Sequence, residues 1–159
     1  MNPFIILWAI LATIILTTAE GAARGLGWSR MNMPFLVGSA FTANRDRAET
    51  IGFAVHFLNG VLFALVYALV FEGLGWATAW LGVLMGLLHA AFVLAALMPV
   101  LPAMHPRMAD ETQGPTPTRM LQPAGFMALN YGRPTAIVTI VGHALYGMLL
   151  GALYSPVPG

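Results

Sequence analysis

Charged residues divide this chain into long apolar intervals, and the lengths of those intervals are the first physical clue. One interval runs from about Pro3 to Ala23, with Glu20 its only charge and with Trp8 and a Thr13, Thr17, Thr18 face along it. The next runs from Thr50 to Phe71, uncharged and bracketed by Glu49 and Glu72. A third covers Trp76 to Met98 and meets Pro99, Pro102 and Pro106, where a helix is expected to stop because proline offers no amide donor. The fourth covers Thr135 to Tyr154 and follows Pro134, a residue suited to a first helical turn. At about 1.5 Å per residue, about 20 apolar residues cross the roughly 30 Å of bilayer hydrocarbon. The pattern therefore predicts an all-α polytopic membrane protein, a four-helix bundle with spans at 3–23, 50–71, 76–98 and 135–154 in a single domain 1–159. The first span is read as a retained helix, since no Lys or Arg precedes it and it exceeds the roughly 7–15 apolar residues of a secretory signal.

Two connections, 24–49 and 99–134, remain. The first contains Met33-Pro34-Phe35-Leu36-Val37, too short to span and expected to form a helix lying in the membrane interface. The second holds seven prolines from Pro99 to Pro134 and the polar stretch Asp110 to Thr118, so an extended, irregular linker is expected.

Composition agrees with lipid as the solvent: 58% of residues are hydrophobic and 8% charged, against roughly 25% charged in ordinary soluble domains. A net charge of +1 without a basic run excludes nucleic acid as a partner. Without cysteine there is no disulfide framework and no thiolate metal site. All seven basic residues are arginines: Arg24, Arg30, Arg45 and Arg47 precede the second span, and Arg107, Arg119 and Arg133 precede the fourth. Positively charged loops stay in the cytoplasm, which predicts both termini outside. Arg107, Arg119 and Arg133 are also candidates for anionic lipid headgroups.

An internal repeat relates spans two and four. His56, Leu58, Gly60, Leu62 and Tyr67 match His143, Leu145, Gly147, Leu149 and Tyr154 at identical spacing. The match predicts two helical hairpins related by an axis along the membrane normal.

That alignment brings chemistry into the membrane. His56, His89 and His143 fall at one depth, and Glu20 comes near it if the first helix continues towards Trp28. Gly52 and Gly60 flank His56, Gly82 and Gly86 lead to His89, and Gly147 and Gly151 follow His143, so each histidine is expected to face a neighbouring helix. Intramembrane ionisable groups mark function by default. Glu20, His56, His89 and His143 together suit zinc, iron or copper, or haem with two axial histidines. The alternatives are neutral imidazoles that only hydrogen-bond between helices, a structural or accessory subunit of a homo-oligomer or larger membrane complex, and a proton or ion path. Asn59 and Tyr146, each three residues beyond a histidine, form a second polar layer in any of these. His105, with Asp110 and Glu111 behind it, is read as a solvated loop histidine, with a surface metal site as the sharper alternative. No phosphate-binding Gly-rich loop, nucleophile elbow or H-E-x-x-H is present, so no enzyme class is indicated.

Several segments between Arg24 and Tyr154 resemble a family of small bacterial membrane proteins of unknown function. They are Arg30-Met31 with Pro34-Phe35-Leu36, His56 with Asn59-Gly60, His89, Met98-Pro99 to His105-Pro106-Arg107-Met108, Gly114-Pro115-Thr116-Pro117-Thr118, and Asn130-Tyr131-Gly132-Arg133. The resemblance implies a bacterial inner-membrane setting and no chemistry.

Overall fold

A computed structural model describes residues 1–157. Its helices are α1 (Ile5–Gly25), α2 (Met33–Gly38), α3 (Arg45–Leu74), α4 (Ala79–Phe92), α5 (Met98–Met104) and α6 (Arg133–Leu153), and no strand forms among the described residues. Four helical stretches are long and apolar enough to cross a membrane: α1, α3, Ala79–Met104 and α6. Their outer faces carry bare Ile6, Leu7, Ile10, Leu62, Leu88 and Ile137, surface that suits lipid and not water.

Two boundaries differ from expectation for local reasons. α3 starts five residues before Thr50, because the Asn44 side chain accepts the Arg47 amide at 3.0 Å and Asp46 sits favourably in the first turn. The helix expected to stop at Pro99 instead continues to Met104. A π-helical turn at Val93–Leu97 resets the hydrogen-bond register and leaves Pro99 in the opening turn of α5, where a missing amide costs little. The end comes at His105, which is extended and directly precedes Pro106.

Glycine sets how closely the helices approach. A Cβ on Gly82 would fall on the Gly147 carbonyl, and one on Gly147 would fall on the Gly82 carbonyl, so α4 and α6 touch backbone to backbone. Gly38 of α2 and Gly52 of α3 make the same kind of contact with Ala48 and Pro34. α1 lies against both α3 and α6, with Gly60 of α3 facing the Thr13 side chain. One apolar cluster fills the end of the helices near Ile5 and Phe71, and a second fills the opposite end.

That second cluster corrects both loop expectations. α2 is helical, but Met33, Pro34 and Leu36 are buried against the protein and do not lie free in the interface. The 99–134 connection is no loose linker: Met108, Ala124 and Ala128 have no exposed surface and pack with Leu36, Leu94 and Met98. Its backbone groups are satisfied despite the prolines. Ala109 donates to the Leu121 carbonyl at 2.8 Å and Leu121 to the Arg107 carbonyl at 2.9 Å. Met127 and Ala128 hold φ of 56° and 55°, a left-handed geometry that costs about 1–3 kcal/mol each and survives only where neighbours enforce it. The Ala128 amide donates to the Gly125 carbonyl at 3.1 Å within this turn, and just beyond it Arg30 donates from its guanidinium to the Asn130 carbonyl at 2.5 Å and from its amide to the Tyr131 carbonyl at 2.9 Å.

Candidate functional site

Three of the four proposed ligands line one cavity. His56 from α3, His89 from α4 and His143 from α6 line this cavity of about 120 Å³ together with Met33, Leu36 and Met98 of the second apolar cluster, which forms a cap over that end of the helices. The α4–α6 glycine contact explains why two of them are so close. Gly86 lies against the His143 backbone, and the His89 and His143 rings stand edge to face with centroids 4.6 Å apart. His89 also stacks on Phe63 at 3.8 Å.

The nitrogens are less satisfied than the rings. His143 Nδ1 donates to the Thr139 carbonyl at 2.8 Å, which fixes the tautomer and leaves Nε2 with its lone pair. His56 Nε2 and His89 Nδ1 are buried without any hydrogen-bond partner. Orphaned buried nitrogens are uncommon in folded proteins and call for an occupant. Thr139, four residues before His143 and so on the same helix face, supplies the acceptor for His143 Nδ1 through its backbone, a spacing that the sequence carries.

Glu20 is not brought to the histidines. It lines a different cavity with Thr17, Asn32 and Glu49, and Met33 is the residue shared by the two linings. As the side chains stand, no three His, Asp or Glu groups among the described residues reach one common ion. Asn59 and Tyr146 both line the histidine cavity, the Tyr146 hydroxyl donating to the Gly60 carbonyl at 2.5 Å and Asn59 lying on its exposed side.

His105 is not solvated, contrary to expectation. It is 3% exposed, its Nε2 bonds the Leu36 carbonyl at 3.0 Å with Ser39 Oγ at 3.3 Å, and its Nδ1 accepts the Arg107 amide at 3.1 Å. Both nitrogens are occupied, so none is left for a metal. Burial holds its pKa below the ordinary histidine value, the Leu36 bond opposes that shift, and Arg107 and Arg119 add to it. Asp110 and Glu111 look elsewhere. Asp110 is tied to the Thr112 side chain and to the amides of Thr112 and Gln113, bonds that pull its pKa down, and Glu111 accepts from Asn130 at 3.3 Å.

The arginines read as lipid contacts differ among themselves. Arg107 donates to the Ser39 carbonyl at 2.6 Å and the Ala40 carbonyl at 3.1 Å, and Arg119 donates to Pro102 and His105 carbonyls at 2.7 and 3.2 Å. Those two guanidinium groups are spent on protein backbone, whereas Arg133 is exposed at the start of α6. Tyr131 closes the same cap, donating to the Gln122 carbonyl at 2.7 Å, and burial pushes its phenol up to about 12. No known protein family, curated protein or solved structure matches this chain.

Proposed function

We propose that this chain is a bacterial inner-membrane protein that binds one transition-metal ion in the cavity lined by His56, His89 and His143, with monovalent copper the best-suited ion. The observation that carries the reading is the pair of orphaned imidazole nitrogens, on His56 and His89, in one cavity with a third imidazole whose tautomer leaves Nε2 free. Binding one ion near His143 requires the His56 and His89 side chains to turn, His89 out of its stack on Phe63.

Charge favours the monovalent ion. The lining offers neutral imidazoles and the thioethers of Met33 and Met98, and the acidic Glu20 belongs to another cavity. The cost of burying an ion rises steeply with its charge, so an all-neutral site in low dielectric selects +1 over +2. Thioether and imidazole are also the ligands that suit Cu(I). A cavity of about 120 Å³ supports a single ion and is too small for a haem macrocycle. The four spans are proposed to form two hairpins, α1 with α3 and α4 with α6, with both termini outside; the support is the gathering of all seven arginines at one end of the helices.

Copper binding is tested on the purified chain in nanodiscs, loaded with Cu(I) or Zn(II), challenged with a chelator and counted by elemental mass spectrometry. One copper per chain is expected, held at least about tenfold more weakly in His56→Gln, His89→Gln and His143→Gln, since loss of even an outer-shell partner costs about 10–100-fold, and retained in Glu20→Gln. Copper held equally by wild type and all three histidine variants, or not held at all, refutes the proposal.

A further inference from the structure

The cavity around Glu20 touches the histidine cavity only through the shared Met33 wall, and it has the clearest unmet electrostatic demand among the described residues. It measures about 70 Å³ and is lined by Thr17 and Glu20 of α1, Asn32 at the head of α2 and Glu49 of α3. Glu20 is 8% exposed, and neither of its carboxylate oxygens has a hydrogen-bond partner. A buried carboxylate without donors is one of the costliest arrangements a fold can hold.

The surroundings specify what would satisfy it. Glu49 reaches the same cavity from the solvent side, its Oε1 accepting from Asn32 Nδ2 at 3.0 Å and lying 3.7 Å from Arg45 Nε. That leaves Glu49 Oε2 free of hydrogen bonds among the described residues. The Thr17 hydroxyl donates to the Thr13 carbonyl at 2.7 Å, so its lone pairs remain available. Arg24 borders the cavity as well but makes no bond to either Glu20 oxygen.

From this geometry we infer a second site, for a hard, partly hydrated divalent cation of the Mg²⁺ or Ca²⁺ class, held by Glu20 and Glu49 with Thr17. Oxygen donors suit such ions, and carboxylates are their usual anionic ligands. The cavity has room for an ion that keeps one or two waters, each taking about 30 Å³ in the liquid. Mg²⁺ in particular binds through one or two carboxylates while retaining water. An ion here ties α1 to α2 and α3, and it steadies Met33, which also walls the histidine cavity.

The test uses the full chain in phosphatidylcholine nanodiscs, whose lipids carry no net charge. Mn²⁺, an ion with the same preference for oxygen, is titrated and followed by electron paramagnetic resonance, with Mg²⁺ and Ca²⁺ as competitors. One Mn²⁺ per chain is expected, displaced by Mg²⁺ or Ca²⁺, bound about tenfold or more weakly in Glu20→Gln and in Glu49→Gln, and unaffected by His143→Gln. Should Glu20→Gln not fold, Glu49→Gln and Thr17→Val carry the comparison. Absence of Mn²⁺ binding, or equal binding by the carboxylate variants that fold, overturns the inference. An infrared band of a protonated carboxyl that vanishes in Glu20→Gln would then identify a proton as the occupant.

Discussion

His105 Nε2 lies 3.0 Å from the Leu36 carbonyl, a bond between two connections 69 positions apart in the chain. It joins the cap above the histidine cavity, because Leu36 lines that cavity and His105 ends the helix whose Leu101 lines it too.

Replacing His105 by Ala leaves the Arg107 amide without its acceptor and the Leu36 carbonyl with only the Ser39 hydroxyl as donor, so a loss of about 1–3 kcal/mol is expected in denaturant unfolding. The same bond carries a pH signature. The folded-state pKa of His105 lies below its ordinary value of 6.5, so the unfolded chain takes up that proton first. Stability should be constant with respect to this group above that value and fall as pH drops below it. The His105→Ala variant should lose that part of the acid sensitivity, and an unchanged acid slope would remove His105 as its source.

The glycine contacts predict a contrast between positions. Gly82→Val and Gly147→Val each push a side chain into the backbone of the opposite helix, which cannot turn away as a side chain can. The expected cost is about 3 kcal/mol or more, at or beyond the upper end of ordinary overpacking. Gly73 has open space around its Cα, so Gly73→Ala should be neutral or stabilise α3 by up to about 1 kcal/mol. Thermal unfolding of the three variants in one detergent separates these outcomes, and equal melting for Gly82→Val and wild type would contradict the close contact.

Orientation can be read with thiol chemistry, because the chain has no cysteine of its own. Thr112 in the 99–134 connection and Ser155 beyond α6 are both exposed. Thr112→Cys should react with an impermeant maleimide only after the cells are opened, and Ser155→Cys should react in intact cells. The reverse pattern would invert the proposed topology.

The apolar intervals were legible because helix length and hydropathy are local properties, and the four spans follow from them within a few residues, Pro99 apart. The pairing of His89 with His143 was legible in part, since the glycine spacing on both helices announces a close approach. Glu20 shows where that reasoning ends. Helical depth puts it near the histidines, but its cavity is made by Asn32 and Glu49, and their positions depend on α2 folding back onto α3. The order of the 99–134 segment was hidden for a similar reason. Its prolines rule out regular ladders but say nothing about the carbonyls that Arg30, Arg107 and Arg119 would find.

Sequence alone thus determined how many helices are long and apolar enough to cross a membrane and the end at which the arginines gather, both quantities read along the chain. Tertiary structure decided that three imidazoles share one cavity, that the carboxylate has another, and that a proline-rich connection is folded. Those depend on contacts between residues far apart in sequence, where a shift of a few ångströms separates a shared site from two.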